Sequence, residues 1–143
     1  MTISLDACRR FILIGAALLV GVALALAVAV IPSVVADPHP SAMPEKAVPA
    51  LWVAAGFRIL VAIVLALIAM RTTGRSWLST ILLGLLALSV AFSGYLLTTA
   101  ALAFRGHGPP MQTATILLFI CSAADLLAAG LVAAAAFLLP RRT

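Results

Sequence analysis

Apolar residues fall into four long runs, at 11–36, 48–70, 77–104 and 111–139, and the stretches between them hold nearly all the charge. Each run exceeds the ~20 residues that an α-helix needs to cross a ~30 Å hydrocarbon core. The pattern predicts four spanning helices, at about 11–35, 48–70, 77–103 and 112–139. The last two are long enough to imply tilt or extension beyond the core. Pro32, near the end of the first run, is expected to kink or terminate that helix.

The breaks between runs are equally plain. Asp37 to Lys46 is interrupted by Pro38, Pro40 and Pro44 and reads as a polar loop. Arg71-Thr72-Thr73-Gly74-Arg75 is a short turn, which makes the second and third helices antiparallel neighbours. Phe104-Arg105-Gly106-His107-Gly108-Pro109-Pro110 is a Gly/Pro turn. The fold class expected is all-α: a polytopic membrane protein, with residues 1–143 forming one four-transmembrane-helix, up-down bundle.

Composition agrees and closes off other classes. Hydrophobic residues make up 65% of the chain and charged residues only 9%, with a mean hydropathy of +1.27. A soluble domain carries about 25% charged residues to wet its surface, so this chain is solvated by lipid. The same numbers exclude disorder, which needs few apolar residues and much charge. A net charge of +5 would suit nucleic acid. However, Arg9, Arg10, Arg71, Arg75, Arg141 and Arg142 sit at the ends of apolar runs, as topology signals do, and form no patch.

Orientation follows from those ends. The N-terminus, the middle turn and the C-terminus hold these six arginines, whereas the other two connections hold only Lys46 and Arg105. Under the positive-inside rule both termini are cytoplasmic and the connections bearing His39 and His107 face outward. Trp52 and Trp77 then lie at opposite interfaces. Eight Arg against one Lys, with abundant Ala, points to a bacterial plasma (inner) membrane. Arg9-Arg10 before an apolar run, with Val34-Val35-Ala36 after it, has the outline of a cleavable signal. The run is far longer than a ~7–15 residue signal core, so it reads as a span.

Two residues break the apolar pattern: Arg58 in the second run and Asp125 in the fourth. Counting back from Arg71 and Arg141 at 1.5 Å per residue puts them ~20 and ~24 Å above the inner surface, at matching depths in the outer half. In steps of four the second run reads Ala50, Ala54, Arg58, Ala62, Ala66, and the fourth reads Cys121, Asp125, Ala129, Ala133. Small residues at that spacing let helices approach closely, so Arg58 and Asp125 are expected to face each other as an intramembrane charge pair. The alternatives are Arg58 reaching up past Trp52 to the headgroups, and a protonated Asp125 bonded to Ser89, Ser93, Thr98 or Thr99. A structural role, fixing helix register, ranks ahead of proton or ion coupling.

A second small-residue line, Ala17, Gly21, Ala25, Ala29 and Ser33, nominates a close helix contact within the bundle or between protomers. Cys8 and Cys121 fall on opposite sides of the midplane and read as packing residues. His39 with Met43, and His107 with Met111, share a spacing that suits copper, yet no third His or Cys completes a site. No metal and no cofactor is therefore expected.

No catalytic constellation or phosphate loop is present, and an enzyme is not expected. Size and helix count are similar to those of small multidrug-resistance transporters. Those rely on a membrane-embedded Glu in the first helix, where this chain has no charge. The function expected is that of an accessory, scaffold or envelope-associated protein, whose partners are the bilayer and either its own copies or a larger complex. The alternative is an oligomeric small-solute or ion transporter or channel subunit using Asp125 and Arg58.

Overall fold

A computed structural model describes residues 4–32, 42–71, 77–104 and 109–138. It is all-helical over these residues, and each of its four helices is long and apolar enough to cross a membrane. The spanning segments are Leu5–Val30, Pro49–Arg71, Trp77–Leu102 and Gln112–Leu138. Helix α1 (Leu5–Ala25) starts six residues before its apolar run. Ser4 caps it, its hydroxyl accepting from the Ala7 amide at 3.2 Å, and Asp6 in the first turn suits the positive helix end. At the other end α1 widens into a π-helical segment, Leu26–Val30, with the Ile31 amide donating to the Leu26 carbonyl. The widening comes just before Pro32, which has no amide proton and crowds the carbonyl four residues back.

Helix α2 (Ala42–Arg71) begins earlier than the proline pattern implied. The expected loop through Lys46 is corrected: 42–46 are helical. Pro44 falls in the first turn, where an amide has no acceptor in any case, and Pro49 inside the helix removes one backbone bond. Helix α3 (Trp77–Phe104) follows its apolar run closely. Helix α4 (Pro109–Leu138) starts on its two prolines, which suit a first turn.

The buried residues form two clusters, and their membership fixes the topology. One joins the start of α1 (Cys8, Ile12, Leu19), the end of α2 (Leu65, Ala69), the start of α3 (Leu83, Ala87) and the end of α4 (Val132, Ala136). The other joins the opposite ends, including Leu26, Leu51, Leu97 and Leu118. Consecutive helices therefore alternate in direction. Helix α1 packs on α2 and α4, and α3 packs extensively on α4. Helices α2 and α3 are antiparallel neighbours around the bundle, as their short connection implies, but they touch only sparsely and leave a gap between them.

Two glycines set how closely the helices pack on α4. A Cβ on Gly15 of α1 would stand 3.1 Å from Val132, and one on Gly94 of α3 would stand 3.2 Å from the Asp125 Cβ. The outer surface is the reverse of a soluble protein's. Val28, Val53, Leu60, Leu88, Phe92 and Phe137 are all more than half exposed, a surface that requires lipid. Trp52 and Trp77 are exposed at opposite ends of the bundle, as interfacial tryptophans are.

Candidate functional site

Arg58 and Asp125 meet at the centre of the bundle. Asp125 stands midway along the span Gln112–Leu138, and Arg58 stands nine residues from Pro49 and thirteen from Arg71. Both fall between the two core clusters, at matching heights along the bundle, with Arg58 nearer the Pro49 end of its span than the Arg71 end. Helices α2 and α4 occupy diagonal corners and their backbones make no close approach among the described residues. Only a side chain as long as arginine's bridges that diagonal. Small residues clear its path: Ala62 is buried and Ala54 half-buried on the same face.

The contact is a fork. The Arg58 Nε donates to Asp125 Oδ1 and Oδ2 at 3.1 and 3.2 Å, and Nη2 donates to Oδ2 at 2.5 Å. Nη1 donates to the Ala54 carbonyl, one turn back along α2, at 2.8 Å. Both side chains are 0% exposed. Every guanidinium nitrogen thus has an acceptor, and both carboxylate oxygens have donors. This two-pronged, charge-assisted geometry is the strong form of the interaction. It answers the cost of an unpaired charge in lipid, ~2.5–3.5 kcal/mol even on the lenient insertion scale. Arg58 therefore points inward, not to the headgroups.

The carboxylate is positioned from behind. Gly94 lets α3 come close to the Asp125 Cβ and the Ser122 carbonyl. One turn away Thr98 and Ser122 share a hydrogen bond at 2.5 Å, and Ser122 donates to the Gly94 carbonyl at 2.9 Å. Thr98 was named in sequence as a partner for a protonated Asp125. Among the described residues it serves Ser122 instead, and Ser89 and Thr99 bond the carbonyls of Leu85 and Tyr95. Gly94 and Ser122 escaped the sequence reading. Their signal was there in the spacing: Gly94 with Thr98, and Ser122 with Asp125, each share a helix face.

A cleft of about 580 Å³ occupies the gap between α2 and α3. Its walls include Ala54, Phe57 and Arg58 from α2 and Phe92, Ser93 and Leu97 from α3. The nominated packing line on α1 is placed differently from an interior seam. Ala17 and Gly21 are exposed, and Ala25 and Ala29 half-buried. The residues that do pack are Cys8, Ile12, Ala16, Leu19, Ala23, Leu26 and Val30. A line of strict fours drifts off the buried stripe, because a helix turns in 3.6 residues and its core stripe mixes threes and fours. Ala17, Gly21 and Ala25 instead border a shallow groove of about 390 Å³ beside Cys121 and Ala124.

Cys8 and Cys121 are buried free thiols in separate clusters. His39 and His107 lie outside the described residues, as do the side chains of Met43 and Met111 and residue Ser33. Among the described residues no group of three His, Cys, Asp or Glu converges on a metal-sized site. Comparison with protein-family models, with curated proteins and with solved structures finds no match to this chain.

Proposed function

We propose that this small integral membrane protein is an accessory or scaffold component of the bacterial inner membrane, with both termini in the cytoplasm. Arg58–Asp125 is its internal clamp, and the protein acts through its lipid-facing helix surfaces on its own copies or on a larger complex. The observation that carries this reading is the sealing of the pair. Both side chains are 0% exposed and each polar end is already bonded, so neither offers a free ligand to a passing ion. A clamp of this kind fixes register: no other buried carboxylate among the described residues competes for Arg58.

A second reading has one observation in its favour. Arg58 forms part of the wall of the α2–α3 cleft, so a rearrangement of that gap in an oligomer would bring a solute or proton to the pair. Reconstitution in liposomes separates the two readings. The clamp reading expects no proton or cation flux from wild type under any imposed gradient, and loss of folded protein in Asp125→Asn. A flux carried by wild type and abolished by a folded Asp125→Asn variant would overturn it in favour of a transporter or channel subunit.

A further inference from the structure

The cleft between α2 and α3 is apolar except at Arg58, Ser89 and Ser93. Hydroxyls inside membrane helices ordinarily bond the carbonyl one turn back. Ser89 and Thr99 do so. Ser93 does not, and neither does Thr80, whose buried hydroxyl also lacks a partner among the described residues but lies outside the cleft lining. Ser93 is only 9% exposed, lines the cleft, and has no hydrogen-bond partner among the described residues. A donor held in an apolar site without an acceptor is costly, and an occupant that brings an acceptor removes that cost.

The surroundings restrict the occupant. Arg58 and Asp125 cancel in charge and are closed off, so an anionic group gains no unpaired cation here. A neutral acceptor fits better. Depth restricts it further: Ser93 lies nine residues before Leu102, where the third span ends, so ~14 Å inside the hydrocarbon. Ester carbonyls of ordinary glycerolipids stay near the headgroups and do not reach it. Phe57 from α2 and Phe92 from α3 face the same space and offer aromatic surface to a flat ring. The volume, about 580 Å³, sits within the ~300–1,000 Å³ typical of small-molecule sites.

We propose that the α2–α3 cleft binds a lipophilic bilayer molecule carrying a neutral carbonyl on a flat ring, a quinone by chemical class, with the Ser93 hydroxyl donating to that carbonyl. Entry is lateral, from the membrane, between two helices that barely touch.

The test uses the full chain in lipid nanodiscs, with a decyl-substituted benzoquinone as probe and decylbenzene as the matched compound without carbonyls. Trp52, beside the cleft-lining Leu51 and Val53, reports binding through quenching of its fluorescence. Saturable quenching by the quinone is expected, with decylbenzene displacing it only weakly. Ser93→Ala weakens the quinone by about five- to tenfold, the loss of one hydrogen bond, and leaves decylbenzene unchanged. Ala54→Phe, which fills the cleft, removes both. Equal affinity for the two compounds in wild type would overturn the proposal and assign the cleft to any acyl chain, whether or not the variants fold. Quenching that does not saturate would also overturn it. So would a wild-type dimer that Ala54→Phe splits into monomers, which would assign the gap to a second copy.

Discussion

Arg58 shows how one side chain can organise a membrane bundle. A buried, well-bonded ion pair adds little over apolar residues of equal shape, but losing one partner strands a charge, at a cost of ~3–5 kcal/mol in soluble proteins. Asp125→Leu alone should therefore destabilise severely, and Arg58→Met alone should do the same. The double variant Arg58→Met with Asp125→Leu should recover most of the loss. Unfolding in mixed micelles under increasing SDS checks this. Additive losses in the double variant would mean that the two residues act separately. Gly94 makes a sharper point about size. Its missing Cβ leaves room for the Asp125 Cβ at 3.2 Å, so Gly94→Ala should cost ~1–3 kcal/mol in the same assay by overpacking. Gly84, with open space around its Cβ position, should accept Ala at no such cost.

At the scale of the helix, the polar contact between α3 and α4 is local and modest. The Thr98–Ser122 bond links the two helices in the stretch that also holds Asp125. A double-mutant cycle of Thr98→Val and Ser122→Ala should give a coupling of ~0.6 kcal/mol and no more than ~1.7, the range for interhelical hydrogen bonds in membranes. A coupling near zero would mean that shape, through Gly94, holds α3 to α4 alone. These elements also show which features were legible in sequence. The spans were readable because length and hydropathy decide them, and the matching interruptions at 58 and 125 were readable because each is a lone charge. Helix starts at Ala42 and Pro109 were not, because proline in a first turn is tolerated and looks like a break. The interior face of α1 could not be told from its line of small residues because, in a chain rich in alanine, small residues at steps of four occur on more than one face. Burial follows the larger residues Ile12, Leu19 and Leu26 instead. Ser93 was legible only as one of four hydroxyls that could bond a protonated Asp125; its place beside the α2–α3 cleft was not, because that gap arises from how the helices pack.

For the molecule as a whole, the core clusters turn orientation into a test with few outcomes. One end of the bundle holds the start of α1, the end of α2, the start of α3 and the end of α4. That is also the end carrying Arg9, Arg10 and Arg71, with Arg75, Arg141 and Arg142 following in sequence. From the positive-inside rule we propose that this end faces the cytoplasm. Single cysteines at Gly74 and Thr143, in a chain with Cys8→Ala and Cys121→Ala, should resist a membrane-impermeant maleimide on intact cells and react after permeabilisation. Cysteines at Ser41 and Gly108 should react without permeabilisation. Reversal at all four positions would invert the protein and leave the bundle intact. If Gly74 and Thr143 reported opposite sides, the alternation of α2, α3 and α4 would fail, and with it the diagonal that Arg58 spans to reach Asp125.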